Sequence, residues 1–394
     1  MSAIIDTQKI DELLARGVEA IVHKETLGEM LCSGKQLRIK LGIDPTSPHI
    51  HLGRATQLLK LRDFQELGHQ IVFIVGDATG VIGDTSDKEA ERPMLGRGDV
   101  QRNAEKYFEQ AALIIDLEKA EKHYNGTWLD KLTYAEIGKQ ADAFSVADFI
   151  ARENIAKRLK EGKRVSLRET LYPLMQGYDS VAVKADVEIG GSDQWFNLLA
   201  GRTLQEIYGQ APQQIMANKL IRGLDGRKMS SSWGNVITIE SEAGDMYGKV
   251  MSLHDDLVEE YFINCTRVPM EEVASILKAG DPKGAKMRLA REIVTLFHGA
   301  ETAEYAEESF TKTFSGGGVP EDAPKVTVSS NDMLGDILLK HDIVASNNEL
   351  RRLLAEGAVE NMTTGEKLSD IKMTFSVNAQ IRVGKRRFIL IDVG

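Results

Sequence analysis

Apolar residues along this chain change their spacing in ways that mark out its elements. Leu37-Arg-Ile-Lys-Leu-Gly-Ile43 alternates apolar and polar positions, which predicts a strand ending at Asp44-Pro45-Thr46. Between Leu52 and Leu67 the spacing becomes three to four (Leu52, Ala55, Leu58, Leu59, Phe64, Leu67), so a helix with one buried face follows, and Gly68 is placed to stop it. Ile71-Val-Phe-Ile-Val75 is a continuous apolar run of strand length, suited to burial on both faces. Strand, helix and strand make a parallel βαβ unit. A glycine-rich loop, Gly76-Asp-Ala-Thr-Gly80-Val-Ile-Gly83-Asp84, is predicted at the carboxyl end of its second strand, where doubly wound sheets bind ligands.

A second unit is predicted from a strand at Ala185 to Ile189, the turn Gly190-Gly191-Ser192-Asp193 and a helix from Gln194 to about Tyr208. Residues 97–170 read as mostly helical, an insertion able to carry a dimer surface. Beyond Trp233 successive helices are expected near 244–252, 256–264, 270–279, 283–298 and 300–313. Gly and Pro then crowd Ser315 to Pro324, a linker composition. The end of the chain reads as a small module, with helical runs near 332–340 and 347–356 and two closing strands joined at Gly384-Lys385. The expected fold class is α/β: a Rossmann-like, doubly wound parallel sheet over 1–235, an α-helical domain over 236–314, a linker over 315–331 and an α+β module over 332–394.

Composition narrows the setting. With 42% hydrophobic and 27% charged residues over 394 positions, the chain can fill two or three ordinary globular cores. No stretch is long and apolar enough to span a bilayer, and the start has no basic segment leading into an apolar run, so a cytoplasmic location is expected. Cys32 and Cys265 are too few and too far apart for a disulfide framework or a zinc cluster. The net charge of −10 disfavours attraction of nucleic acid by the whole surface and confines any such contact to patches. One patch is evident, Arg382, Lys385, Arg386 and Arg387.

Two motifs carry the candidate chemistry. His51 stands at a predicted helix start behind Asp44-Pro-Thr46-Ser-Pro, where unpaired backbone N–H groups and the helix dipole favour phosphate. Thr46 and His51 can donate to the same anion, and Gly53 lets a flat group such as adenosine lie against the backbone. Lys228-Met229-Ser230-Ser231-Ser232 follows Gly223-Leu-Asp-Gly226-Arg227, which places a lysine and hydroxyls in a mobile polar loop able to close over a polyphosphate. Either motif alone is short enough to be incidental. A third glycine-bearing strand end, Gly190-Gly191-Ser-Asp193-Gln194, adds a carboxylate able to bind ribose. Tyr172, Gln176 and Asp179, at i, i+4 and i+7, share one helix face.

Together these residues resemble the class I aminoacyl-tRNA synthetases, with their HIGH and KMSKS signatures, and most closely the bacterial tyrosyl-tRNA synthetases, over nearly the whole chain. Tyr172 to Asp179 resembles that family's substrate helix, Gly190 to Asn197 its Gly-Gly-Ser-Asp-Gln signature, and residues 332–394 its S4-type RNA-binding module. The resemblance implies activation of tyrosine by ATP, transfer to tRNA(Tyr), a homodimer, and Mg²⁺ accompanying ATP with no protein-bound metal or organic cofactor. It implies Thr46, His51, Arg54, Lys228 and Ser231 as catalytic residues, joined at ATP by Asp44, Gly53, Gly191, Asp193, Met229 and Ser230. Tyrosine would be met by Asp84, Tyr172, Gln176, Asp179 and Gln194, with Asp179 accepting from the phenol, and tRNA by Arg382, Lys385, Arg386 and Arg387. The chain departs from the pattern at five positions. Arg54 replaces the second histidine of HIGH and Ser231 the second lysine of KMSKS; Lys40 stands where many members have a phenol-binding tyrosine; Thr85 and Asp87 replace a proline and a glycine. A tryptophanyl enzyme, a nucleotidyltransferase and an RNA-binding descendant without catalysis remain alternatives at this stage.

Overall fold

The computed structural model describes residues 3–84, 95–315, 323–384 and 387–394. They form two compact units, Met1–Gly299 and Ala300–Gly394.

The first unit is built on a six-stranded sheet of β1 (Val18–Ile21), β2 (Arg38–Ile43), β3 (Gln70–Val75), β4 (Glu121–Tyr124), β5 (Val187–Gly191) and β6 (Gln214–Asn218), in the order β1-β6-β5-β2-β3-β4. All pairings are parallel except β1 with β6. From β2 the chain winds outward through β3 to β4, then returns to the other side of β2 for β5 and β6. The order therefore reverses between β2 and β5, and such a switch point leaves a crevice at the carboxyl ends of the strands.

β3 reads as predicted because burial on both faces demands apolar side chains: Ile71 to Val75 are all 0% exposed. The helix Leu52–Glu66 buries the expected Leu52, Ala55, Leu58, Leu59 and Phe64 on the sheet. Helix Leu167–Val183 begins with a capping box between Ser166 and Glu169 and packs along helix Trp195–Ile207. Gly177 permits that approach, since a Cβ there would lie 2.9 Å from Leu204 Cδ1 and 3.0 Å from the Ala200 carbonyl.

Three local expectations are corrected. The segment after β3 is the short helix Asp77–Ile82 rather than a loop. Gly190 and Gly191 lie within β5 and pair with β6, so the turn falls at Ser192–Gln194. Residues 97–170, expected to be mostly helical, contain the edge strand β4 as well as helices; its Glu-Lys-His-Tyr sequence is too short and polar to show as a strand. Helices Ala243–Met251, Val258–Cys265, Met270–Lys278 and Pro282–His298 complete this unit.

The second unit opens with helix Ala300–Ser315. Its sheet, ordered β7 (Lys325–Val328), β11 (Arg387–Val393), β10 (Ala379–Val383), β8 (Val359–Asn361), β9 (Glu366–Lys367), is covered by helices Leu334–Lys340 and Asn347–Ala355. Leu334, Leu338, Leu350, Val359, Ile381 and Ile389 form its separate core.

Candidate active site

A polar cleft opens at the switch point between β2 and β5. It is lined by both sequence motifs, Asp44, Thr46, His51, Gly53 and Arg54 on one side and Lys228, Met229, Ser230 and Ser231 on the other, with Asp84, Tyr172, Gln176, Asp193 and Gln194 between them. Gly191 backs this wall without lining it: a Cβ there would fall 2.5 Å from Asp193 Oδ1 and 2.9 Å from Leu220 Cδ2.

His51 is the N-cap residue of helix Leu52–Glu66, yet its side chain makes no capping bond. Its Nδ1 is buried without a hydrogen-bond partner and sits over Gly53, whose added Cβ would come within 3.0 Å. Burial, then the charges of Arg54 and Lys228, push its pKa down to about 3, so the imidazole is neutral and offers one donor and one acceptor.

The helix start corrects the sequence reading. The Leu52 N–H is not free for phosphate, because it donates to the Ile237 carbonyl at 2.9 Å, and the Gly53 N–H meets the thioether of Met229 at 3.2 Å. The segment around Thr238 bridges to His51 and occupies the helix end, which leaves side chains as the main anion donors.

Arg54 turns back into its own loop. Its guanidinium donates to the Asp44 carbonyl at 3.0 Å, to Thr46 Oγ1 at 3.1 Å and to the hydroxyl of buried Tyr107. Thr46 thereby accepts a bond and keeps its own hydrogen to donate. The Asp44 carboxylate accepts from Thr79 Oγ1 at 2.7 Å and Tyr172 Oη at 2.8 Å, and burial raises it to about 6. Any side chain at Gly76 would collide with that carboxylate.

The Lys228 turn is braced rather than loose. Gly223 N–H donates to the Arg227 carbonyl at 2.7 Å, Met229 N–H to Ile221 at 2.9 Å, and Asn235 Nδ2 to Asp225 Oδ1 at 2.7 Å. Lys228 Nζ rests 2.7 Å from Asp193 Oδ2, and Ser231 Oγ lies 3.4 Å from Ser47 Oγ across the cleft. Gln194 Nε2 donates to Asp84 Oδ2 at 2.6 Å. Thr85 and Asp87 lie outside the described residues.

Tyr172 and Gln176 face the cleft, whereas Asp179 lies behind them and is 3% exposed. Its oxygens accept from Trp128 Nε1 at 2.7 Å and Asn125 Nδ2 at 3.1 Å, and burial raises the carboxyl to about 7. Asn125, Trp128, Thr79 and Tyr107 escaped the sequence reading. Each is a single residue whose meaning depends on a partner far away in the chain. Lys40 is fully buried beneath the helix and ion-paired with Glu188, away from the cleft surface.

In the second unit, Arg382 pairs with Glu360, and Arg387 with Glu349 at 2.8 Å. Lys385 and Arg386 lie outside the described residues. Among the described residues no group of three or more His, Cys, Asp and Glu side chains could hold a metal ion.

A switch-point cleft holding a neutral histidine, a lysine-bearing turn and a buried polar pocket has clear relatives. Residues 33–315 match the family "tRNA synthetases class I (W and Y)", which fixes the class. The tyrosine–tRNA ligase of Thermotoga maritima is 42% identical over 97% of both chains, and that of Shewanella oneidensis 42% identical over 98% of this chain and 99% of its own. The chain belongs to the tyrosine–tRNA ligase family. Solved structures share the fold: a C-terminally truncated mitochondrial tyrosyl-tRNA synthetase of Aspergillus nidulans has a TM-score of 0.66 at 21% identity, covering 78% of this chain and 94% of that one. A tyrosyl-tRNA synthetase of Archaeoglobus fulgidus, complexed with L-tyrosine, has a TM-score of 0.61 at 22% identity over 76% of this chain and 99% of that one.

Proposed function

We propose that this chain joins L-tyrosine to tRNA(Tyr) in two steps at the β2–β5 cleft. The tyrosine carboxylate attacks the α-phosphate of ATP, forming a C–O–P link and expelling pyrophosphate. A terminal ribose hydroxyl of the tRNA then attacks the carbonyl and AMP leaves. The observation that carries this reading is the convergence on one cleft of both motifs with Tyr172 and Gln176, and of Asp179 directly behind them.

No protein nucleophile is needed, because the substrate carboxylate is already ionised; the residues position reactants and stabilise phosphate charge. Neutral His51 and the Thr46 hydroxyl donate to the phosphates, and Lys228 leaves Asp193 to follow the charge onto pyrophosphate. Asp193 is then free for the ribose, with Gln194 on the α-phosphate side. Mg²⁺ enters as part of the ATP substrate. Tyr172, Gln176 and Asp84 receive the tyrosine ammonium, and Asp179 accepts from the phenol. Each Asp179 oxygen has one donor, which leaves lone pairs for the phenol.

The chain works as a cytoplasmic homodimer in this reading. Tyr134, Val146 and Leu167, all within the 97–170 insertion, are 95%, 76% and 80% exposed, and exposed apolar side chains of this kind suit a dimer surface. Residues 332–394, within the second unit, serve as the S4-type RNA-binding module. Arg382, Lys385, Arg386 and Arg387 are assigned the tRNA phosphates, which Arg382 and Arg387 would reach by exchanging Glu360 and Glu349 for them.

Tyrosine-dependent exchange of labelled pyrophosphate into ATP tests the reading, run beside phenylalanine and tryptophan. Exchange with tyrosine alone is expected. Exchange with tryptophan instead would reassign the substrate, and none with any amino acid would defeat the enzymatic reading.

A further inference from the structure

The amino-acid end of the cleft rests on an ion pair that touches no solvent. Lys40 of β2 and Glu188 of β5 have side chains 0% and 1% exposed, with Nζ 2.8 Å from Oε1. All three ammonium hydrogens find acceptors: Glu188, Ser180 Oγ at 2.8 Å and the Gln176 carbonyl at 2.8 Å. Glu188 in turn accepts from Ser180 Oγ at 3.0 Å, from Gln176 Nε2 at 3.1 Å and from Gln213 Nε2.

A buried ion pair is weak as a source of stability, because desolvating two charges offsets most of their attraction. What distinguishes this one is its neighbours. Gln176 is held twice, by its backbone carbonyl on Lys40 and its side-chain amide on Glu188. Ser180, bonded to both charges, is the residue after Asp179 on the same helix. The groups facing Asp179 are Lys40 from β2, Glu188 from β5, Asn125 and Trp128 at helix Gly126–Leu129, and Tyr172 on its own helix. Among these Lys40 is the cation, and it does most to oppose the effect of burial on the carboxyl.

We propose that the Lys40–Glu188 pair is a positioning device for the amino-acid pocket, fixing Gln176 at the ammonium end and, through Ser180, the helix turn that carries Asp179 at the phenol end. Lys40 thus replaces the second phenol contact expected at its position with support from behind the helix. The inference rests on the assignment of Gln176 and Asp179 to tyrosine.

The test is the full-length double variant Lys40→Met/Glu188→Met, which removes both charges together and leaves neither unpaired. Its circular dichroism and melting curve report folding; pyrophosphate exchange reports tyrosine and ATP dependence. The expected result is a tyrosine KM raised about tenfold or more, an ATP KM within about twofold, and a tyrosine-over-phenylalanine preference reduced about tenfold, the scale of one lost buried hydrogen bond. The pH below which tyrosine KM climbs should also move upward. If the double variant does not fold, Ser180→Ala removes the hydroxyl joining the charges and should shift the same quantities about threefold.

A folded double variant with unchanged tyrosine KM and preference would overturn the proposal; in the Ser180→Ala arm, unchanged values would do the same. Asp179→Asn, measured in parallel, separates the two layers. Should Asp179→Asn destroy the preference while the double variant keeps it, only the positioning role fails. Were Asp179→Asn also to leave the preference intact, the phenol assignment itself would fall.

Discussion

The two ends of the cleft are built on different physical terms. At the proposed amino-acid end, buried polar groups are bonded to one another: Asp179 to Asn125 and Trp128, Gln176 to Glu188, Glu188 to Lys40. At the proposed ATP end the ionic groups sit nearer solvent, with Lys228 30% exposed on Asp193, and in the proposed mechanism they change partners to act. His51 is the exception, held neutral and unbonded at Nδ1. Selectivity calls for a rigid pocket that leaves a wrong side chain with unpaired partners. Charge neutralisation during phosphoryl transfer calls for cations that can follow the charge.

The sharpest way to break this contrast is to damage each end separately. Asp179→Ala should lower kcat/KM for tyrosine about 100-fold or more through loss of a buried acceptor, while the dissociation constant of ATP stays close to the parent value. His51→Ala should slow adenylate formation by a similar factor of about 100, near 3 kcal/mol, with tyrosine binding by equilibrium dialysis little changed. Equal losses in both measurements for either variant would merge the two ends into one.

A smaller effect is expected from pH. Asp179 has a carboxyl raised to about 7, so it is an anionic acceptor above that pH and becomes protonated as pH falls through it. Tyrosine KM should therefore climb below about 7, by up to about tenfold per unit. His51, lowered to about 3, stays neutral over the same range and should add no inflection to the rate of adenylate formation. Smaller again, Ser231→Lys returns a cation to the ATP end and should raise pyrophosphate exchange by about fivefold, an effect that added salt should shrink. Smallest for catalysis is charge reversal at Lys385 and Arg386, expected to weaken tRNA binding in filter assays while amino-acid activation is unchanged.

Much of the frame was legible without coordinates. The alternating segment before Asp44, the three-to-four spacing after His51 and the apolar run at 71–75 each follow from burial on a strand or a helix face, and the structure returns them within a residue or two. The edge strand β4 was missed because an edge strand needs few apolar residues, and its pairing with β3 is a property of the sheet. The phosphate site at the helix start was over-read, since nothing local reveals that Ile237 supplies the acceptor for Leu52.

By itself the sequence determined the strongly periodic strands and helices, which residue types stand at the strand ends, and the family to which the chain belongs, because these depend on local periodicity and on short ordered motifs. Only the tertiary structure decided how charge is shared among them. Arg54 is drawn onto Asp44, Thr46 and Tyr107, Lys228 onto Asp193, and Lys40 onto Glu188 and away from the cleft. Burial sets the protonation of His51 and Asp179, and it is created by side chains brought together from distant parts of the chain.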